Sequence, residues 1–370
     1  MSRRFTDPPK AENVNRRPKA VCELILAATK ILNPAAARIK SPELTGYKIL
    51  VAKDCSFCYH FYMSKIKVGV IGVGHLGSIH AKIYKEIPNC TLIGVCDIDK
   101  NRLETISKSL QVTGWQDHRE LLGKVDAVSV AVPTKFHQKI AFEFLNNKIH
   151  TLVEKPFTLN LKEADSLIRL ARKNKLILQV GHIERFNSAF SATLKLIKRP
   201  KFIECHRLSP FPNRSLDVGA VLDIMIHDID IVLGLVDSKI KRIEAVGVNV
   251  LTQFEDIANA RITFKNGCVA NLTASRVSDE IMRKIRIFQE DTYISLDYKD
   301  AKASVYKRNQ SQITKEDLPI EKEQPLQKEL QAFIDCVEQN KEPLVSGETA
   351  REALSVALEI QKQIWPKRIF

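Results

Sequence analysis

The chain has 370 residues, 44% of them hydrophobic and 27% charged, and a formal net charge of +14. This is the composition of a soluble protein of about two domains, long enough to bury a sizeable core without disulfide help. No apolar run reaches the roughly 18–20 residues of a membrane helix, and the best candidate, 221–236, carries Asp223, Asp228, Asp230 and His227.

Residues 1–62 come first and differ in texture from the rest. They hold prolines 8, 9, 18, 34 and 42, the basic pairs Arg3-Arg4 and Arg16-Arg17, and one short amphipathic piece, Ala20 to Leu32. Cys55-x-x-Cys58-x-His60 has no second ligand pair at zinc-site spacing, so it reads as incidental thiols, and no metal is expected. "MSKIKVGVIG" from Met63 reads as a natural start. Residues 1–62 are therefore expected to be an upstream extension, poorly ordered, mis-started or dispensable; a genuine appendage is the alternative.

From Lys65 the pattern alternates. "IKVGVIG" is a β-branched apolar run suited to a buried parallel strand. A helix over His75–Glu86 follows, then strand Thr91–Asp97, helix Lys100–Leu110, a helical stretch at His118–Leu122 and strand Asp126–Pro133. Helix Phe136–Asn146, strand His150–Pro156, helix Leu161–Lys173 and strand Leu176–His182 complete the series. Strand and helix alternating at this spacing predict an α/β Rossmann domain, a doubly wound parallel sheet, over 63–183. Beyond 184 come mainly strands: "KFIECHRL", "RIEAVGVNVL", "IANARITF", "CVANLTASR", "KIRIFQ" and "TYISLDY", with an Asn266-Gly267 hairpin turn. They predict an α+β domain with an open, mainly antiparallel sheet over 184–345. Residues 346–370 hold a last helix, with Ser346 and Glu348 near its start.

The chemistry begins at Gly72-Val73-Gly74-His75-Leu76-Gly77, which fits G-x-G-x-x-G between a strand and a helix. The first glycine permits the turn, the second admits a pyrophosphate to the backbone, and the third lets helix and strand pack closely. A phosphate would sit on the free amides of the helix N-terminus. Asp97, at the end of the next strand, would accept hydrogen bonds from a ribose diol and repel a 2′-phosphate, which favours NAD over NADP. Asp99 adds negative charge there, while Lys100 and Arg102 temper the preference. Glu154-Lys155-Pro156 ends a strand at the carboxyl edge where such sheets bind ligands. Lys155 either reaches over a nicotinamide or is a surface lysine before a strand-ending proline. In "VLDIMIHDIDIVLGL", read as a helix ending near Gly234, Asp223, His227 and Asp230 lie at i, i+4 and i+7 on one stripe of an otherwise apolar helix, with Asp228 off it. Burying these groups is costly unless they pair or face a cavity. Asp223 is expected to pair with His227 and raise its basicity, in an active site or as a structural pair.

The phrases "GVIGVGHLG", "AVPTKFH", "EKP", "DIMIHDID" and "SGETAREAL" occur in the order and spacing of the Gfo/Idh/MocA oxidoreductases, which the chain from about Met63 onward resembles. "QVGHIERFN", "FIECHRL", "MIHDIDIVL" and "DIANARITFKNGCVANLTASR" are most similar to one branch of that family, the bacterial UDP-N-acetylglucosamine 3-dehydrogenases of lipid A synthesis. The resemblance implies that Lys155, Asp223 and His227 form the catalytic set and that Lys155-Pro156 is a cis peptide. It makes Pro133, Thr134 and His137 cofactor contacts, alongside Gly72, Gly74, His75, Leu76, Gly77, Asp97, Glu154 and Lys155. The bland alternative for His137 is the first turn of a helix. Arg185 either contacts substrate or cofactor or packs at the domain junction, and Asp230 is a candidate substrate contact. Where the family often has glycines before the aspartate of D-x-x-x-H, this chain has Gly219-Ala220-Val221-Leu222, which leaves the pocket's shape open. The implied substrate is a sugar or nucleotide sugar, and the implied assembly a homo-oligomer, dimer or tetramer, built through the second sheet. The basic residues after Met63 are dispersed among acids without an aromatic-interleaved stripe, which argues against nucleic acid and suits an anionic nucleotide sugar. The eight scattered cysteines and the lack of a signal-peptide pattern predict a cytoplasmic, reducing location.

Overall fold

The computed structural model describes residues 65–211, 217–309, 312–321 and 323–366. The expectations for residues 1–62, including the Cys55, Cys58 and His60 group, lie outside them.

Six parallel strands form the first sheet: β1 (Ile66–Ile71), β2 (Cys90–Cys96), β3 (Thr113–Trp115), β4 (Ala127–Val130), β5 (His150–Glu154) and β6 (Leu178–Gly181). Their order is β3-β2-β1-β4-β5-β6, all pairs parallel. The order reverses between β1 and its neighbours, which opens a crevice at the carboxyl ends of the strands. Helices α1 (His75–Glu86), α2 (Lys100–Leu110), α3 (His137–Asn146) and α4 (Leu161–Asn174) are the connections, as the alternation predicts. Val68, Val70, Val128, Val130, Leu152, Val153 and Val180 are fully buried, because helices cover both faces. The turn after β1 needs its glycines: Gly72 has φ +82°, and a Cβ on Gly77 would lie 1.8 Å from the Gly72 carbonyl oxygen.

After a short helix α5 (Ser188–Thr193), β7 (Phe202–Leu208) enters a second sheet. Helix α6 follows, a π-helical turn at Val221–Met225 running into α-helix at Ile226–Leu235. The remaining strands are β8 (Ile240–Val248), β9 (Ile257–Phe264), β10 (Val269–Ser275), β11 (Met282–Phe288), β12 (Thr292–Asp297), β13 (Lys302–Asn309) and β14 (Gln312–Asp317). Their order is β14-β13-β12-β11-β7-β10-β9-β8. Only β7 with β10 is parallel, so the sheet is mixed but mostly antiparallel. Burial alternates along its strands: Ile203, Cys205, Ala260, Ile262, Leu272 and Ile285 face α6 and the core. On the other face Phe202, Phe288, Tyr293 and Tyr306 form a row of ring contacts.

Two helices close the chain, α7 (Pro325–Gln339) and α8 (Gly347–Ile364). Helix α7, like β3, β13 and β14, has no counterpart in the sequence reading. Its Leu330, Phe333 and Ile334 join the core of the parallel sheet with Tyr84, Val68 and Leu92, although it lies in sequence within the second region. Helix α8 is capped by Ser346, whose hydroxyl accepts from the Thr349 amide, and it packs on α4, α6 and β8. Five cysteines lie among the described residues, four of them buried. No helix among these residues is long and apolar enough to cross a membrane.

Candidate active site

The glycine turn opens at the crevice. The first turn of α1 has no side-chain cap and holds no acidic residue. Its amides are therefore available to an anion at the positive end of the helix. A Cβ on Gly74 would meet nothing within 4 Å, so this part of the turn faces open space. Both observations fit a bound pyrophosphate. Asp97 lies beside the turn: its carboxylate accepts from the Val73 amide at 2.9 Å and from the Asp99 amide at 2.9 Å. Arg102 reaches the same carboxylate at 3.4 Å and Asp99 at 3.5 Å. Asp97 is thus tied first to the turn itself, with a half-exposed guanidinium alongside. His75 is exposed and Leu76 half-buried at the start of α1.

Pro133 and Thr134 follow β4 at the same edge, Pro133 exposed and Thr134 buried. His137 begins α3. Its ring is buried between two main-chain carbonyls, Nδ1 at 3.0 Å from Pro156 O and Nε2 at 2.8 Å from Val132 O. A neutral ring has one N–H and donates to one of the two carbonyls, and the ring sits wedged between the loops after β4 and β5 as part of the crevice wall. Burial pushes its pKa down, against the opposing effect of the two carbonyls.

Lys155 follows β5, and the Lys155-Pro156 peptide is cis. Its ammonium lies 2.9 Å from Asp223 Oδ1 and 2.6 Å from the Asp223 carbonyl. An ammonium has three donors; two are occupied by α6, and one remains. Glu154, buried just before it, has Oε2 on the Lys155 amide at 3.1 Å and Oε1 3.1 Å from His80 Nε2. Burial alone would raise the Glu154 pKa, but His80 and Lys155 outweigh it and hold it below the carboxylate range.

The expected pairing of Asp223 with His227 does not form. A lysine ammonium is within reach, and a charge-assisted bond to it is stronger than one to a neutral imidazole. Asp223 also lies in the wider π-helical turn, out of phase with the α-helical turns that carry His227. His227 is 9% exposed and its Nδ1 is buried with no partner. Burial first, then Lys155 and Arg207, hold its pKa well below the ordinary histidine value, so the expected gain in basicity is reversed. The ring is neutral near pH 7, with a lone pair to accept a proton.

Asp230 and Arg185 are brought together, away from the stripe. The guanidinium forks onto the carboxylate at 2.6 and 3.0 Å and onto the Asp230 carbonyl at 2.9 Å. Both residues are buried. Arg185 therefore packs where α6 meets the turn at Ile183–Phe186. Three groups that sequence reasoning missed lie close by. Arg207, inside β7, bonds Asp228 at 2.8 Å and Glu184 at 2.7 Å, all three buried. His182, just after β6, stands edge-on to His227 at 6.0 Å between ring centroids. Glu329 on α7 is fully buried with both carboxylate oxygens unbonded. His182 had a usable signal, since it ends a strand at the ligand edge of the sheet just as Lys155 does; Arg207 and Glu329 had none. Gly219 also has a structural reason: a Cβ there would lie 2.1 Å from the Glu255 carboxylate, which accepts from the Val221 amide at the head of α6.

A cavity of about 240 Å³ bounded by Lys67, Lys124, Asp126 and Lys148 lies at the amino ends of β1, β4 and β5, the opposite edge from these residues. Among the described residues no group of three His, Cys, Asp or Glu is arranged to hold a metal ion.

Comparison with known proteins agrees with this arrangement. Residues 66–182 match the oxidoreductase family with an NAD-binding Rossmann fold, and residues 190–294 match the GFO/IDH/MocA C-terminal domain. The chain is 36% identical over 306 residues to UDP-N-acetylglucosamine 3-dehydrogenase of Acidithiobacillus ferrooxidans, covering 81% of this chain and 97% of that protein. A solved structure of that enzyme superposes with a TM-score of 0.78 over 82% of this chain and 98% of that one. Myo-inositol 2-dehydrogenase of Thermotoga maritima is 28% identical over 339 residues, covering 82% of this chain and 97% of that protein. These matches span both sheets and most of the described residues: the chain belongs to the Gfo/Idh/MocA family of oxidoreductases.

Proposed function

We propose that the chain is an NAD-dependent dehydrogenase that oxidises the C3 hydroxyl of UDP-N-acetylglucosamine to the 3-keto sugar. One observation carries the reading: Lys155, pinned by Asp223, keeps a single free donor beside the neutral imidazole of His227. An alcohol losing a hydride from carbon must also lose its hydroxyl proton. His227 takes that proton as general base. The spare Lys155 donor bonds the same oxygen and stabilises its developing negative charge. Asp223 fixes the ammonium in place. The amides of Gly74 to Gly77 and the Asp97 carboxylate hold the dinucleotide, and NAD, when bound, supplies the hydride acceptor.

The choice of sugar rests on the 36% identity to the A. ferrooxidans enzyme across nearly its whole length, against 28% to the inositol dehydrogenase. We further propose that the reaction supplies lipid A precursors, with the ketone passing to an aminotransferase. The buried cysteines suit a reducing cytoplasm. We further propose that copies associate through the outer face of the second sheet, around Tyr293 and Tyr306; light scattering should show a dimer or tetramer that Tyr293→Lys dissociates. The activity test is NADH absorbance from purified protein with NAD⁺ and UDP-N-acetylglucosamine, glucose 6-phosphate or myo-inositol. Turnover confined to an inositol or a simple sugar phosphate would refute the nucleotide-sugar assignment.

A further inference from the structure

With Asp223 held by Lys155, His227 lacks the carboxylate partner that ordinarily orients a basic imidazole. Its Nδ1 is sealed from solvent and bonded to nothing, while its Nε2 is not sealed and the residue as a whole is 9% exposed. Next to it stands His182. It is 1% exposed, and both its nitrogens are buried without a partner. The rings meet at 83° with centroids 6.0 Å apart. Three orphaned imidazole nitrogens in one place is an unusual concentration, since buried polar groups are nearly always bonded.

The groups around the pair narrow the choice of partner. His227 faces Lys155, Arg207, Arg283 and His182; His182 faces Asp230, Arg185, Lys155 and Glu154. The two carboxylates in that set are already engaged, Asp230 by Arg185 and Glu154 by the Lys155 amide, with His80 Nε2 3.1 Å from Glu154 but outside hydrogen-bond geometry. None of the cations is bonded to the three orphaned nitrogens. The neighbouring imidazole is the one group in that set that can both donate and accept. A neutral imidazole has one donor and one acceptor, so the two rings can be matched in two ways. Nδ1 of His227 is the sealed nitrogen and Nε2 is not, so the match that leaves a base at the crevice is the one in which His182 accepts. The Nδ1 of His227 then carries the hydrogen, and its Nε2 is left with a lone pair for the crevice. The opposite match would put the hydrogen on Nε2 and leave no base there.

We propose that His182 is the positioning residue of His227: it accepts the Nδ1–H bond, directly or through one buried water, and so fixes the tautomer in which Nε2 can take a proton. This rests on the reading of His227 as the base. The test uses the full chain with ¹⁵N-labelled histidine, the His227→Gln variant assigning the His227 signals. Wild type should show His227 as a single Nδ1–H tautomer. His182→Leu should give a mixture of tautomers and a fall in kcat of about 10- to 100-fold, the usual scale for losing an orienting partner, with KM within about twofold. His182→Gln, whose amide oxygen can accept the same bond, should restore the single tautomer and most of kcat. An Nε2–H tautomer in wild type, an unchanged His227 signal in His182→Leu, or a rise in KM at constant kcat would each overturn the proposal. Should His182→Leu fail to fold, the wild-type tautomer and the His182→Gln variant still decide it. The tautomer is read without turnover. A protein that oxidises none of the sugars tried would therefore count against the activity alone, and the spectrum would still decide the role of His182.

Discussion

Replacing Lys155 by methionine removes the ammonium and keeps most of the side chain's volume. In the structure two of its three donors are committed to Asp223, at 2.9 Å and 2.6 Å, so one hydrogen bond to the reacting oxygen is lost. Loss of one donor aimed at developing negative charge costs about 3–4 kcal/mol in the transition state, or about 10²–10³ in kcat. The pH profile should move as well, in a direction the structure fixes. Burial is the largest cause of the depressed His227 pKa, and the Lys155 charge is the second. Without that charge the imidazolium is less disfavoured, so the pKa of His227 rises and the acid limb of kcat/KM moves to higher pH. NADH formation followed between pH 5 and pH 9 measures both effects, and NAD affinity, read by quenching of intrinsic fluorescence, should change little. A loss smaller than tenfold, or an acid limb that stays or moves to lower pH, would refute the assigned role and the charge argument together.

Asp228→Ala leaves the buried Arg207 with Glu184 alone; stranding a buried charge in this way costs about 3–5 kcal/mol, and the thermal midpoint should fall by roughly 10 °C. Removing the exposed Arg119–Asp117 pair should leave the midpoint within experimental scatter, and equal shifts for the two would contradict the burial argument. Glu329→Gln tests a buried acid. Its pKa is raised well above the ordinary value by burial first and by Glu154 second, so the folded chain keeps the proton that the unfolded chain releases above about pH 4.5. Wild-type stability contributed by this group is full below that pH and is lost as pH rises toward the folded pKa. The glutamine variant should therefore melt higher than wild type at pH 8 and at the same temperature at pH 4; a lower midpoint at pH 8 would mean that Glu329 is ionised and has a partner.

Much of the fold was legible because parallel strands buried on both faces are unmistakable as apolar runs, and because glycines are required where the chain turns back on itself at Gly72 and Gly77. Strands β13 and β14 escaped notice for the opposite reason. "KASVYKRN" buries only Ala303 and Val305, and "QITKED" buries nothing, so neither shows an apolar run. Helix α7 was missed, and its place was harder still to foresee: nothing local tells Leu330 and Phe333 that their core belongs to a sheet more than two hundred residues earlier. In the site, the residues marked by spacing or by a strand end were found. The partners that hold them were not, since an arginine within a strand, such as Arg207, reads from sequence as a solvent-facing charge.

The segment 221–235 shows what a one-dimensional stripe leaves out. At 3.6 residues per turn Asp223, His227 and Asp230 share a face, and a single cluster follows. A π-helical opening changes the phase of Asp223, and the protein uses the four polar side chains separately. Asp223 takes Lys155 from the end of β5, Asp230 takes Arg185 from the turn after β6, and Asp228 takes Arg207 from β7. His227 is left facing His182, also from the end of β6. Three ion pairs from three different elements hold one helix against both sheets, which limits how far the imidazole can move relative to the lysine. Buried ion pairs add little net stability but resist rearrangement, because breaking any one of them strands a charge. Here each is better understood as a constraint on where His227 can be than as a contribution to folding, and the cost of losing one should be read in kcat as well as in the melting temperature.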